Sequence, residues 1–446
     1  MERKYWNEEI ETLTADQVRR LESERLRGQL DYMYRTSDFY KKKFDHAGIK
    51  PSDIRDRADL PKIPFTEKTE LSRSQADGTL IGVNQCAPLH DIVRIQATGG
   101  TTSQPLRLAF TRRDNADYCE MGARALWAMG CRPGDIVFEC FNYNLYAGGV
   151  SDHMCFETLG AATIPFGVGN TKRLLEMMGK LKDDVCLYST PSYAVRLAEV
   201  AMEEKMDLKS LGLRKGFFSG EAGLQIPGYR SRIEDLWGLA SGDLYGTGEL
   251  GLHSGECEHR QGFHYGATGI VLTEFIDPDT TEPKPITDGA VGEFVYTSIQ
   301  REASPLMRMR SHDSMQVFTG PCPCGRTGLR FKVLGRTDDM FIVKGVNVFP
   351  LGVQAVLARL QPRLTGEFQI ILDKAPPIDY SIPVRAEVAN HVPREHYEAL
   401  VADARKAIRE GSNFDPIIEL VPQGAIASEK KTRRLYRTYN GELVPK

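Results

Sequence analysis

No apolar run in this sequence approaches the roughly 18 residues that would cross a bilayer, so no membrane-spanning helix is expected. Neither sign of charge is in excess: 57 Lys and Arg stand against 60 Asp and Glu, a formal net charge of −3. That balance offers no general attraction to nucleic acid or to an anionic membrane. Cysteine is scarce and odd in number, nine in 446 residues. Cys119, Cys140, Cys155 and Cys186 stand singly in apolar surroundings, as reduced, buried thiols do. The opening residues, Met1-Glu2-Arg3-Lys4-Tyr5-Trp6, are charged and lack the apolar stretch of a secretory signal. Repeats and low-complexity tracts are absent as well. These absences read as a soluble cytoplasmic protein. What remains is globular composition, 41% apolar and 26% charged, in a chain long enough for two or three domains.

Periodicity divides the chain. Residues 8–47 carry a helical pattern, with Leu21, Leu26, Leu30 and Tyr34 on one face. The run Lys41, Lys42, Lys43 reads as a solvated face. Between residues 115 and 218, strands over 136–138, 162–165, 185–188 and 215–218 alternate with helices of ten or more residues. Alternation of that kind predicts an α/β architecture with a largely parallel sheet. After about residue 243 the texture turns to β, with strands over 270–276 and 292–297. The final part resembles a small α+β module, with helices over 351–360 and 394–410 and strands over 368–372 and 385–388.

Five polar stretches interrupt this framework. Thr98, Gly99, Gly100, Thr101 and Thr102 lie between extended runs at 91–96 and 106–110. Glycines let the backbone approach a ligand, and threonine hydroxyls with bare N–H groups offer donors to an anion. No Gly-Lys pair closes the stretch, so it is not the G-x-x-x-x-G-K-[ST] pattern. Alone it reads either as a phosphate-gripping loop or as a polar hairpin turn. Tyr245-Gly246-Thr247-Gly248-Glu249 sets an aromatic ring, glycines and one carboxylate at a strand end. Its ring suits stacking on a base and its carboxylate suits magnesium; a glycine turn with a surface glutamate is the plainer reading. Asp313, following Arg308 and Arg310, suits a ribose diol or a surface salt bridge. Residues 335–350 form a polar turn feeding a β-rich run, the composition of an interdomain hinge. Residues 427–434 pack five charges together, among them Lys430, Lys431 and Arg434, and alone read as a solvated basic tail.

A separate constellation joins Cys257-Glu258-His259, with His264 just beyond, to Pro321-Cys322-Pro323-Cys324-Gly325. Thiolates and imidazole in a tetrahedral set suit zinc. The expected ligands of a structural zinc are Cys257, His264, Cys322 and Cys324, with His259 as rival to His264.

Taken in order, these segments resemble the phenylacetate–CoA ligase family of adenylate-forming enzymes. The likeness runs from Tyr5-Trp6-Asn7-Glu8 and Leu60-Pro61-Lys62-Ile63-Pro64-Phe65-Thr66 to the lysine-rich tail. It is most specific over residues 335–350, which keep the family's G-R-x-D-D-M-x-x-x-x-G-V-N-V-F-P pattern. The resemblance implies a large N-terminal adenylate-forming domain of α/β layers plus a β-rich part (1–337) and a small mobile α+β C-terminal domain (338–446). It implies that an aromatic or arylacetic acid attacks ATP to form an acyl adenylate, and that coenzyme A then displaces AMP. Thr98 to Thr102 would hold phosphates; Gly220, Glu221, Tyr245 and Gly246 would frame the adenine; Glu249 would bind Mg2+; Asp313 and Arg336 would fix the ribose. Asp338 would be the hinge, Lys344 and Gly345 would line the coenzyme A channel, and Lys431 would bridge acyl carboxylate and α-phosphate. Tyr146 and Gly149 would touch the acid. A homodimer fits the family.

Departures cluster at the nucleotide site. Ser103 and Gln104 replace the family's Gly-Lys, Gly248 replaces a Ser or Thr, His312 replaces an Arg, and Lys430 replaces the Gly beside the catalytic lysine. Asn142, Asn144, Cys155 and Phe156 are bulkier than the family's residues, which favours a differently shaped aryl acid over phenylacetate itself. Two other readings stay open: delivery of the acyl group to a carrier protein or amine, and a catalytically weakened nucleotide- or acyl-binding member.

Overall fold

The computed structural model describes residues 3–76, 80–98, 105–146, 148–181, 184–221, 223–226, 228–337, 339–343, 346–378, 380–412, 414–426 and 434–444. The chain divides into two compact units, one of residues 1–221, 233–311 and 315–332, the other of 222–232, 312–314 and 333–446.

The larger unit opens with helices α1 (Glu8–Glu11), α2 (Ala15–Thr36) and α3 (Asp38–His46). Thr14 starts α2 with a reciprocal capping box: its hydroxyl accepts from the Gln17 N–H, and the Gln17 side chain accepts from the Thr14 N–H. Of the apolar face read from the sequence, Leu26 and Leu30 are buried, together with Met33, against Tyr40 and Phe44, each aliphatic chain contributing about 1.5–3 kcal/mol, while Leu21 and Tyr34 are half-buried. Lys41 and Lys42 are exposed, but Lys43 corrects the solvated-face reading: its ammonium turns inward to Thr66 Oγ1 and Glu70, each at 2.9 Å.

Helix α4 (Lys68–Ala76) precedes an antiparallel hairpin of β1 (Arg94–Ala97) and β2 (Arg107–Phe110), paired Arg94 to Phe110. After α5 (Arg112–Ala128) the expected alternation follows: β3 (Ile136–Glu139), α6 (Val150–Leu159), β4 (Ala162–Pro165), α7 (Thr171–Leu181), β5 (Val185–Ser189), α8 (Pro191–Glu203), β6 (Leu213–Phe218), α9 (Tyr229–Trp237) and β7 (Ala240–Thr247). Every residue of β5 is buried, as a central parallel strand covered on both faces requires. The β-rich part adds β8 (Gly251–Gly255), β9 (Phe263–Tyr265), β10 (Val271–Ile276), β11 (Val291–Ser298), β12 (Met309–Phe318) and β13 (Arg330–Arg336). Among the described residues the large sheet runs β10-β11-β12-β13-β9-β8-β7-β6-β5-β3-β4. Strand β7 is its joint, parallel to β6 on one side and antiparallel to β8 on the other. The carboxyl ends of β3, β5, β6 and β7 therefore share one edge, the place where open α/β sheets bind ligands.

In the smaller unit, the hairpin β14 (Phe341–Val343) and β15 (Val346–Val348) precedes α10 (Pro350–Leu357), β16 (Leu364–Leu372), β17 (Ile382–Val388), α11 (Tyr397–Ser412), β18 (Pro416–Pro422) and β19 (Leu435–Arg437). Its four-stranded sheet is ordered β18-β17-β16-β19. Alternate residues Phe368, Ile370, Val384 and Ala386 point into one core with Leu400, Ala404 and Ile408 of α11.

Candidate active site

The hairpin β1–β2 holds the base of the glycine- and threonine-rich stretch. Thr98 is fully buried; its N–H donates to Leu106 O at 2.9 Å, and its hydroxyl accepts from the Leu106 N–H at 3.2 Å. Gly99, Gly100, Thr101, Thr102, Ser103 and Gln104 lie outside the described residues. Ala97 donates to Leu145 O at 2.7 Å and bridges Tyr146, so the phosphate-loop base and the expected acyl segment are stitched together. Gly248 packs against the same base. A Cβ there would lie 2.9 Å from both Cβ and Cγ2 of Thr98, which gives the missing hydroxyl at 248 a steric reason.

Glu249, beyond the end of β7, is the carboxylate of this edge. Its Oε1 stands 2.8 Å from Lys68 Nζ, and its carbonyl accepts from Arg301 Nη1 at 2.8 Å. The chain just before Lys68 is anchored. The Thr66 N–H donates to Arg308 O at 2.9 Å, the Arg308 guanidinium lies 4.1 Å over the Phe65 ring, and the same guanidinium is paired with buried Glu274 at 2.8 Å. Sequence reasoning did not single out Lys68. Arg308 and Arg310 are likewise interior, Arg310 pairing with fully buried Glu293 at 2.7 Å, so the surface salt bridge considered for that run is corrected there.

Gly220 follows β6 with φ +85°, and a Cβ there would meet the Phe141 ring at 3.4 Å. The neighbouring Glu221 accepts the Ser192 N–H at 2.5 Å. Tyr245 stands edge-on to His253 at 5.2 Å and to Phe331 at 5.5 Å, so its ring is fixed by packing; Gly246 beside it is exposed. Tyr146 is 40% exposed at the same edge. Gly149 is pressed to the loop backbone, where a Cβ would fall 2.6 Å from Asn142 O. Behind these residues lie two buried carboxyl groups that the sequence did not single out. Asp152 accepts Tyr118 OH at 3.0 Å and Tyr188 OH at 2.5 Å, and burial raises it to about 6. Glu139 accepts Tyr143 OH at 2.5 Å, and burial pushes it up to about 9.

In the smaller unit Asp313 and Arg336 stand 3.6 Å apart. Thr337 donates its N–H to His312 O at 2.8 Å, and His312 holds φ +54°. Asp338, Lys344, Gly345, Lys430 and Lys431 lie outside the described residues. Arg434, read as part of a solvated tail, instead pairs with Glu367 at 2.7 Å and stacks on Phe368 at 4.8 Å.

The cysteine constellation assembles in the larger unit. Cys257, His264, Cys322 and Cys324 are all buried, with ligand atoms within 4.8 Å of one another. Cys257 Sγ and Cys322 Sγ are 3.6 Å apart, and Cys324 Sγ lies 3.5 Å from His264 Nε2. That sulfur spacing is far from the roughly 2.05 Å of a disulfide and close to the ~3.8 Å edge of a tetrahedral zinc–thiolate site. Cys257 and His264 pull the Cys324 thiol far below its usual range. His259 is outside the cluster, beside Glu258 at 3.4 Å.

These features define an adenylate-forming ligase fold. The family model for the AMP-binding enzyme C-terminal domain matches residues 345–438. A crystal structure of 2-hydroxyisobutyryl-CoA ligase in the postadenylation state, in complex with R3-HIB-AMP, is 30% identical, with TM-score 0.88 over 98% of this chain and 93% of that one. A phenylacetate-coenzyme A ligase of Thermus thermophilus is 34% identical over 400 residues, 89% of this chain and 87% of that protein. Another, of Pseudomonas putida, is 30% identical over 435 residues, covering 96% and 95%. The chain belongs to the phenylacetate–CoA ligase family.

Proposed function

We propose that the protein is an AMP-forming acid–coenzyme A ligase for an aromatic or arylacetic acid. The acid's carboxylate attacks the α-phosphate of ATP, releasing pyrophosphate, and the coenzyme A thiol then displaces AMP from the acyl adenylate. The observation that carries this reading is the gathering of Thr98, Tyr146, Gly220, Tyr245 and Glu249 at the carboxyl ends of the parallel strands, beside the joint strand β7. An anionic nucleophile approaching a polyphosphate needs fixed positive charge. Lys68, already aimed at Glu249, supplies a cation that Gln104 does not. Glu249 would hold Mg2+, whose chemistry is to neutralise phosphate charge. Asp313 and Arg336 would fix the ribose, and residues 338–446, hinged at Asp338, would bring Lys431 for adenylation and Lys344 with Gly345 for thioester formation.

The donor set Cys257, His264, Cys322 and Cys324 fits a structural Zn2+: four neutral or thiolate ligands, buried, with no place left for substrate. Among the described residues no helix is long and apolar enough to cross a membrane, in keeping with a cytoplasmic enzyme acting on small molecules.

The test is release of AMP and pyrophosphate with a panel of aryl acids, with and without coenzyme A. Thioester formed only with coenzyme A is the expected result. Pyrophosphate exchange without thioester points to a carrier or amine acceptor, and no turnover with any acid defeats the ligase reading. Lys431→Ala is expected to abolish adenylation while sparing thioester formation from supplied acyl adenylate.

A further inference from the structure

The acyl segment is backed by a polar wall that an unsubstituted phenyl ring would have no use for. Phe141, whose ring packs 4.6 Å from that of Tyr188, lies against both Gly148 and Gly220. It thus marks the floor between the acyl segment and the expected adenine frame. Asp152 Oδ2 comes within 3.9 Å of the point where a Cβ on Gly148 would sit, so that carboxyl group lies next to the loop. Its partner Tyr188 also lies 3.1 Å from Ser219 Oγ, one residue before Gly220.

Glu139 closes the other side. It has no solvent exposure, and one oxygen is engaged by Tyr143 of the same acyl segment. The other, Oε1, is buried without a hydrogen-bond partner among the described residues. Buried acceptors are seldom left unpaired in folded proteins, so an unpaired one beside a substrate loop points to a donor that arrives with the substrate. The charge of that donor can be narrowed. Arg94 lies 5.6 Å from the Tyr118 ring on the Asp152 side, and His153 Nδ1 stands 3.3 Å from Glu139 Oε2, so each carboxyl group already has a basic neighbour. A second cation is not called for; a neutral O–H is.

Resting on the ligase reading, we infer that Glu139 and Asp152 are specificity-determining residues that select a carboxylic acid bearing a hydroxyl group on its acyl part. A site built to pair with a hydroxyl rejects the analogue lacking it far more strongly than an apolar pocket rejects an added one.

The test compares kcat/KM, read as pyrophosphate release, for phenylacetate, its three ring-hydroxylated isomers, mandelate, and the methoxy and amino counterparts of each. At least one hydroxy acid is expected to exceed its unsubstituted and methoxy counterparts by about 100-fold or more. Asp152→Ala and Glu139→Gln should each lower that ratio at least tenfold. A merely structural role would lower the melting temperature and leave the ratio where it was. Should Asp152→Ala not fold, Gly148→Ala sets a methyl 3.2 Å from the Phe141 ring and 3.9 Å from the Asp152 carboxyl group and is expected to lower the same ratio. Equal rates for hydroxy and unsubstituted acids, or preference for the amino acids, overturns this inference and leaves the ligase intact. Absence of pyrophosphate release with every acid overturns both.

Discussion

The Cys257–His264–Cys322–Cys324 cluster and the Glu249 edge both present donors suited to a cation, and they are built in opposite ways. In the first, all four donors are buried with their ligand atoms within 4.8 Å of one another, and Arg326 is the cation beside Cys324. In the second, a partly open carboxylate is already answered by Lys68 at 2.8 Å, and that ammonium can be exchanged for a metal ion or turned to a phosphate. On the proposed reading the closed cluster would keep what it binds, and the open edge would trade partners during a reaction. Stability should therefore follow the first and turnover the second.

The largest effect that could break this contrast is at the cysteines. Stripping metal with a strong chelator, or Cys324→Ser, is expected to lower unfolding free energy by several kcal/mol, read by denaturant titration, with about one zinc per chain by elemental analysis. Metal-free protein of unchanged stability would falsify the structural assignment. Next comes Glu249→Gln, expected to reduce kcat about 10²–10³-fold while the melting temperature stays nearly constant; a large melting shift instead would make Glu249 a structural group like the cysteines. Lys68→Ala should raise the KM for ATP about ten- to hundredfold through loss of a charged donor. Adding Gln104→Lys to that variant should recover part of the loss, and a further rise would mean the loop is not used on phosphate. The smallest expected effect is Asp313→Asn, about tenfold in KM for ATP. The penalty should vanish when the nucleotide lacks its ribose hydroxyls, and its persistence would remove Asp313 from the ribose.

Much of this was legible along the chain because the information was local. The buried run Val185-Cys186-Leu187-Tyr188 reads as a parallel strand since both faces are covered, and the Cys-x-Cys between a proline and a glycine reads as half a metal site because the knuckle is short. The choice of His264 over His259 needed the sheet, which pairs β9 with β13 at His264 and Arg330. Lys68, Glu139 and Asp152 were not legible. Each owes its role to a partner brought near by strand order, and a lone Lys, Glu or Asp beside an apolar run carries no mark of that partner. Strands β12 and β18 were also missed: Arg310, His312 and Asp313 in one and Glu419 in the other break the alternation that announces a half-buried strand.

The contact between Thr98 and Gly248 bears on the order in which this edge can change. A hydroxyl side chain at 248 would enter space that the Thr98 methyl and backbone now fill, so Gly248→Ser alone is a blocked step. Thr98→Ser would remove only the methyl and leave the Thr98 Cβ position 2.9 Å away, so Thr98→Gly, which leaves Cα at 3.0 Å, is the change that relieves most of the clash. The two positions are epistatic, and their joint effect should depart from the sum of the single ones. A designer who copies a relative's loop one residue at a time meets the same barrier.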